Sequence, residues 1–327
     1  MKLNKPSQVK PSFIDLFSGA GGFSLGFVEQ GFQDLLAIDN DEDAIATYGS
    51  NFDDITILSE DIRKIHSLEI LKEIDVVPDV ILASPPCEPF TAANPKRLPT
   101  TRSRFFDDPQ GDLIFHAIRI IGDLVPKVFV IENVVPMISK DGKSILKEEF
   151  KKVGFDKIFF NIIDAEKHGC PSSRKRVFIS NFFLKLPFLK TKKILESIQD
   201  LPTPSLPSVF PNHDYVHLPQ KVGDKVYKIK EGQAAVFFKG AKLEQKQWVK
   251  LPPNKIAPTV MGKSRFIHPI EDRAITPREQ ARLMCYPDNF EFKGNLDSVY
   301  NQIGESVPPI ISNLLALEIR KKLDNLL

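Results

Sequence analysis

Three observations place this chain in the α/β class. Short apolar runs stop abruptly at glycine, proline or acidic residues, helical patterns lie between them, and the composition changes near Leu184. Together they predict a mostly parallel, Rossmann-like sheet with helices on both faces and a smaller irregular or β-rich domain after it. A chain of 327 residues can bury a core large enough for both.

Phe13-Ile14-Asp15-Leu16-Phe17 is the first expected strand, and Ser18-Gly19-Ala20-Gly21-Gly22 follows it directly. A helical pattern through Phe23, Leu25, Phe27 and Val28 comes next. Strand, glycine turn and helix form a nucleotide-binding opening, because glycines let the backbone approach a ligand closely. Leu35-Leu36-Ala37-Ile38 is the second strand and ends at Asp39, an acid placed to accept hydrogen bonds from ribose hydroxyls. Purely structural glycines are the competing reading. Ile55 to Leu58 is the third strand; Asp61 and Ile62 after it offer a carboxylate and an apolar wall for an adenine, or else an N-cap for the segment from Arg63 onward.

Asp79-Val80-Ile81-Leu82-Ala83 reads as a buried parallel strand that halts at Pro85 and Pro86. Cys87 therefore emerges at a strand's carboxyl end, where open α/β sheets bind their ligands, and is the candidate nucleophile. The following loop, Ala92 to Gly111, carries Lys96, Arg97, Arg102 and Arg104 and reads as a lid. A helix from Asp112 to Val125 returns the chain to the strand Lys127 to Ile131, which delivers Glu132 to the same edge as Cys87.

Ile158 to Ile163 and Val177 to Phe182 are two further strands, read as an antiparallel pair. Alternation at the entry to the second points Arg174 and Arg176 to one face, and two guanidiniums there call for an anion or a carbonyl-rich partner. Prolines at 187, 202, 204, 207, 211 and 219 then mark the smaller domain. Thr276 and Pro277 open a helix running to about Met284, as N-cap and first helical residue. An apolar helix through Ile310, Ile311, Leu314, Leu315 and Ile319 closes the chain and is expected to pack on the first domain.

No stretch is apolar enough for a membrane span and the start, Met1-Lys2-Leu3-Asn4-Lys5-Pro6, lacks a signal peptide's apolar core, so a cytoplasmic protein is expected. Three scattered cysteines exclude a disulfide framework or a CxxC metal site and suit a reducing compartment; Cys170 is expected to be inert and Cys285 structural. The net charge of +2 conceals an asymmetry. Residues 28–90 hold fifteen acids against Arg63, Lys64 and Lys72, whereas residues 218–263 hold ten lysines against Asp224, Glu231 and Glu244. The basic half suits a polyanion or, equally, a solvated surface.

These motifs, in this order, resemble the C5-cytosine methyltransferase family, of the bacterial restriction-modification type. Asp15 to Gly22 is similar to its cofactor loop, Ser84-Pro85-Pro86-Cys87 to its nucleophile motif, and Glu132-Asn133-Val134 to its acid motif. Ser172 to Arg176 resembles its paired-arginine motif, Arg273 to Asp288 the motif supporting its recognition domain, and Gln302 to Pro308 its last motif. Only about Pro187 to Lys255, where the family keeps its sequence-reading surface, lies outside the likeness.

The resemblance implies a class I S-adenosylmethionine-dependent fold, with 1–186 and 300–327 as the catalytic and cofactor-binding domain, 187–269 as target-recognition domain and 270–299 as a hinge or support. It implies that Cys87 attacks cytosine C6 while Glu132 holds N3 and the exocyclic amine, Arg176 the O2 carbonyl, and Arg174 keeps the pocket positive and favours the thiolate. S-adenosylmethionine is expected against Phe17, Gly19, Gly21, Asp39, Asp61, Ile62, Pro86, Leu113 and Ser306, and no metal is required. The implied partner is double-stranded DNA with its target base flipped out, clamped by Thr91, Lys96, Arg97, Arg102 and Arg104. A monomer acting separately from a cognate restriction endonuclease is expected. A transfer-RNA cytosine-5 methyltransferase and a non-catalytic DNA-binding relative are the alternatives; an NAD enzyme would share Gly19 and Asp39 but has no use for Cys87, Glu132 and the arginines together. Two residues depart from the family's usual pattern: Ser172 replaces a glutamine, and Glu305 sets a negative charge where a neutral asparagine is common.

Overall fold

The computed structural model describes residues 10–240 and 244–325. Its first half alternates strand and helix: β1 (Ser12–Leu16), α1 (Gly22–Glu29), β2 (Gln33–Asp39), α2 (Glu42–Asn51), β3 (Thr56–Ser59), α3 (Ser67–Ile74), β4 (Val80–Ala83), α4 (Thr101–Phe106), α5 (Leu113–Leu124), β5 (Val128–Val134), α6 (Gly142–Lys152), β6 (Phe159–Asp164) and β7 (Lys175–Ser180). These strands form one sheet in the order β3-β2-β1-β4-β5-β7-β6. β1 to β5 are mutually parallel and β7 runs antiparallel to both β5 and β6, as the class I methyltransferase fold requires.

Every residue of β1, β4 and β5 is buried, since helices cover both faces of the central sheet. On one face α5 contributes Leu113, Ile114, Ala117, Ile118, Ile121 and Leu124, an i, i+3/i+4 stripe that packs with Ile14, Ile81 and Ile131. On the other, Phe23 and Phe27 of α1 join Phe13, Leu82 and Val130. The closing helix, α11 (Pro309–Asp324), lies here, with Ile311, Leu315 and Ile319 in the same cluster.

The remaining elements are α7 (Ile194–Ile198), α8 (Gln220–Gly223), β8 (Ala234–Lys239), β9 (Glu244–Lys250), β10 (Phe266–Ile267), α9 (Pro277–Leu283), α10 (Leu296–Glu305) and α11 (Pro309–Asp324). β10, β9 and β8 make a small separate sheet. A third apolar cluster joins Ala37, Tyr48 and Phe52 to Ile194, Val249, Leu251, Val260 and Ile275, so the proline-rich region and the support segment share a core with the α2 side of the main sheet. α9 begins as expected, with the Thr276 hydroxyl accepting the Glu279 N–H and Pro277 in its first turn.

Two expectations change. The strand before Glu132 does not stop at Ile131 but continues to Val134, because β7 pairs antiparallel with it through Glu132, Asn133 and Val134. The lid is not wholly irregular either. Thr100 caps α4 within it, and Phe105 is fully buried against Phe90 with ring centroids 4.7 Å apart.

Candidate active site

Parallel β1, β2, β4 and β5 end at one edge of the sheet, and antiparallel β7 begins there. One edge thereby collects the glycine turn after β1, Asp39, Cys87, Glu132, Arg174 and Arg176. β1 and β4 are neighbours although helices lead away from them to opposite sides, the crevice-forming switch point of open sheets.

Cys87 sits in a turn beyond β4, its carbonyl accepting the N–H groups of Phe90 and Thr91 at 3.0 Å each. Asn133 Nδ2 donates to Pro85 O at 2.9 Å, tying the Cys87 loop directly to β5. Sequence reasoning passed over this amide; the only available signal was its place beside Glu132. Burial pushes the Cys87 thiol up to about 12, Glu88 and Glu132 add to that, and Arg176 and Arg174 oppose it. Both arginines pull the thiol's pKa down, Arg176 more than Arg174, to which alone the resemblance gave that role, but desolvation outweighs them and the thiol form is favoured.

Glu132 is buried within β5, and Arg176 Nε approaches its Oε1 at 3.0 Å while Arg174 stands at 4.0 Å. The approach of Arg176 lies off the hydrogen-bond axis, so Oε1 is ion-paired yet lacks a hydrogen bond. Arg174 and Arg176 do share a face. Arg174 nevertheless acts mainly as a brace: its guanidinium donates to the carbonyls of Val260 at 3.2 Å, Gly304 at 2.9 Å and Glu305 at 3.2 Å. Burial, then Arg176, pull its pKa down to about 10.

Around Ser172 the arginine loop is tied to the segment at Ala257 and Pro258. Ser173 N donates to Ala257 O and Ala257 N to Pro171 O, both at 2.9 Å, while the Ser172 hydroxyl donates to Pro258 O at 3.3 Å. Glu305 stands at the end of α10, its Oε1 only 2.4 Å from where a Cβ on Gly262 would be. Desolvation and then Glu88 raise its carboxyl to about 7, with Arg174 and Lys263 opposing and Asp41 assisting.

On the β1 side, Phe17, Gly19 and Gly21 all adopt positive φ, and nothing lies within 4 Å of a Cβ built on Gly19. That open flank fits a ligand pressed against the backbone. Gly22 is different: a Cβ there would meet Tyr286 Oη at 2.3 Å and Val307 O at 2.7 Å, so it is a packing glycine. Asp39 accepts the N–H groups of Gly19 at 2.8 Å and Asp41 at 3.0 Å, which orders the glycine turn. Its pKa is raised, burial being the first cause.

Phe17, Ile62, Leu113 and Cys87 border the same apolar cluster, and Pro86 is half-buried beside Cys87. Asp61 is held by Arg63, whose Nε and guanidinium nitrogens lie 2.8 to 3.1 Å from its oxygens, and it also accepts the Arg63 N–H. The segment it caps is a turn; α3 starts later, after His66. Ser306 caps the far end of α10 and donates to Ile303 O at 2.9 Å. Asp15 was not anticipated. Fully buried beneath the glycine turn, it accepts the Ser24 hydroxyl at 2.6 Å, leaves Oδ1 without a partner, and is raised by burial to about 8.

The lid residues divide. Lys96 and Arg102 are exposed, Thr91 is half-buried, and Arg97 donates to Phe90 O at 3.0 Å. Arg104 is buried and points inward, its guanidinium donating to Leu98 O at 2.6 Å and Pro99 O at 2.8 Å, so in this conformation it folds the lid rather than presenting charge.

A family model described as C-5 cytosine-specific DNA methylase matches residues 11–321. The chain is 43% identical over 320 residues to a candidate type II methyltransferase of Methanocaldococcus jannaschii, M.MJ0563P, spanning 95% of this chain and 99% of that one. It is 29% identical over 382 residues to the type II methyltransferase M.DdeI of Desulfomicrobium norvegicum, spanning 96% and 90%. Among solved structures, a candidate DNA modification methyltransferase from an Escherichia coli prophage aligns with a TM-score of 0.77 at 24% identity, over 96% of this chain and 100% of that one, which is a likeness of fold.

Proposed function

Because the chain belongs to the C-5 cytosine-specific DNA methylase family, we propose that it methylates C5 of a flipped-out cytosine in duplex DNA through a covalent adduct on Cys87. The observation that carries this reading is the meeting of Cys87, Glu132 and Arg176 at one sheet edge, with the Glu132 and Arg176 side chains 3.0 Å apart.

Cytosine C5 is a weak nucleophile, so attack at C6 must come first. Cys87 Sγ forms the bond to C6, its proton leaving as the base arrives. Electron density moves into the ring toward N3, which takes a proton from the Glu132 carboxyl, while the exocyclic amine donates to that carboxyl and Arg176 donates to O2; the N3 proton returns to Glu132 when Cys87 is expelled. S-adenosylmethionine, when bound, supplies an electrophilic methyl group to the activated C5. Loss of the C5 proton then restores the ring double bond and expels Cys87 as thiolate. Gly19 with its open flank, Asp39, and the apolar wall of Phe17, Ile62 and Leu113 fit the cofactor's ribose and adenine. Asp61 would contribute its carboxylate beyond Arg63, with Pro86 and Ser306 nearby; Gly21 serves the turn differently, since a Cβ there would meet Phe52 Cε2 at 2.3 Å and its flank is closed.

The exposed cations Lys96 and Arg102, with Thr91 and Arg97, are the lid's DNA contacts in this reading. Phosphate contacts of this kind make binding salt-sensitive. The type II relatives further suggest the modification half of a restriction-modification system, with a separate endonuclease. The test is transfer of labelled methyl from S-adenosylmethionine to duplex DNA, followed by bisulfite sequencing. Methylated cytosine in one sequence context supports the assignment; transfer that persists in Cys87→Ala overturns the mechanism.

A further inference from the structure

Two of the three cysteines take no part in the chemistry above, and the fold brings them together although they lie far apart in sequence. Cys170 is fully buried in the loop ahead of Arg174, and Cys285 is half-buried just past the end of α9. Both pack in the apolar cluster that holds Phe178 and Leu184. Cys170 Sγ lies 3.7 Å from Leu283 O, two residues before Cys285, and the two thiols are near enough to perturb each other's ionisation. Cys285 has a left-handed backbone, φ 65, at the turn that leaves α9. Both segments are well anchored: Cys170 N donates to Ala165 O at 3.1 Å and Cys285 N to Arg282 O at 3.0 Å.

We propose that Cys170 and Cys285 form a redox-closable pair, which a mild two-electron thiol oxidant converts to an intramolecular disulfide fastening the arginine loop to the support helix. In the closure each thiol loses a proton and an electron, the S–S bond forms, and the azo compound diamide takes up both protons and electrons to become its hydrazine. The oxidant can reach the pair only at Cys285, the partly exposed member, whose thiol the interaction with Cys170 and then burial hold well above the ordinary range. Cys170, whose pKa is lowered first by the interaction with Cys285, is the resolving nucleophile. Cys87 packs in a different apolar cluster and has neither of the other two thiols beside it to complete a disulfide.

The pairing closes a loop of more than a hundred residues and restricts the unfolded chain accordingly. It leaves Cys87, Glu132 and Arg176 covalently unaltered.

The experiment treats the reduced full chain with diamide, blocks remaining thiols with N-ethylmaleimide, and maps peptides by mass spectrometry without reduction. A linked peptide joining Cys170 to Cys285, Cys87 recovered as the maleimide adduct, and a melting temperature raised by roughly 5 °C and restored by dithiothreitol are expected. Cys285→Ser, altered at the less buried position, should lose both the linked peptide and the shift. Recovery of Cys170 and Cys285 as separate maleimide adducts, or their linkage to other molecules, would overturn the proposal. So would an equal thermal shift in Cys285→Ser.

Discussion

Arg176 Nε stands 3.0 Å from Glu132 Oε1, on neighbouring antiparallel strands, with the two side chains only 14% and 7% exposed. The two side chains are largely buried together at the edge where Cys87 emerges. Removing one member strands the other without water. Arg176→Ala should therefore lower stability by about 3 kcal/mol in urea unfolding, besides reducing methyl transfer. Glu132→Gln keeps the shape but removes the carboxyl, and should cut the rate by about 100-fold or more. Rates within a few-fold of the parent for Glu132→Gln would remove Glu132 from the mechanism.

Burial holds Cys87 as a thiol, with a pKa of about 12. The sign follows directly: the reactive thiolate is scarce at neutral pH and grows as pH rises toward that value. Alkylation of Cys87 by iodoacetamide, read by peptide mapping in the DNA-free protein, should climb by about tenfold per pH unit between pH 7 and 10. Removing Arg174 or Arg176 should slow it at every pH, because both cations oppose the upward shift. A plateau near pH 8 would show that the arginines prevail over desolvation.

Asp15 is raised from 3.8 to about 8 by burial, so its folded-state carboxyl keeps a proton that the unfolded chain gives up. Its contribution to stability is full below the unfolded value and is lost as pH rises through the folded one. Asp15→Asn should flatten the fall in stability between about pH 4 and 8 and stabilise the protein at pH 8 by at least ~1 kcal/mol, as measured by denaturant midpoints at both pH values. A steeper fall in the variant would mean that Asp15 is charged in the fold.

Gly19 and Gly22, two of the three glycines of the first turn, should respond differently to alanine. At Gly22 the new methyl would overlap Tyr286 Oη and Val307 O, and overpacking of this kind costs about 1–3 kcal/mol. At Gly19 there is no overlap, only the strain of φ 52, which costs about 1 kcal/mol. Binding of S-adenosylmethionine, measured by calorimetry, should nevertheless weaken in Gly19→Ala, because its methyl enters the open flank. Equal affinity in parent and Gly19→Ala would place the cofactor elsewhere.

Glu305, raised to about 7, gains its charge as pH rises through neutrality, beside Glu88 and Asp41. DNA affinity should consequently fall more between pH 6 and 8 in the parent than in Glu305→Gln, in filter-binding assays at fixed salt. Identical pH profiles would leave the carboxylate without influence on the site.

Periodicity and punctuation in the sequence determined the alternating strands and helices, the glycine turn, the proline-halted strand before Cys87 and the caps at Thr276 and Pro277. Each is a local choice, governed by which residues tolerate a given backbone and which faces must be apolar. The order of six motifs also identified the chemistry. Tertiary structure alone decided what depends on contacts between distant segments: the extension of β5 through Glu132 by its pairing with β7, and the Asn133 bond to Pro85. The same holds for Arg174 bridging Val260 and Gly304, the backbone exchange between Ser173 and Ala257, the inward turn of Arg104, and the meeting of Cys170 with Cys285. Burial is likewise a property of the assembled fold. It sets the protonation of Asp15, Cys87 and Glu305, because the desolvation of each depends on neighbours that the chain supplies from far along its length.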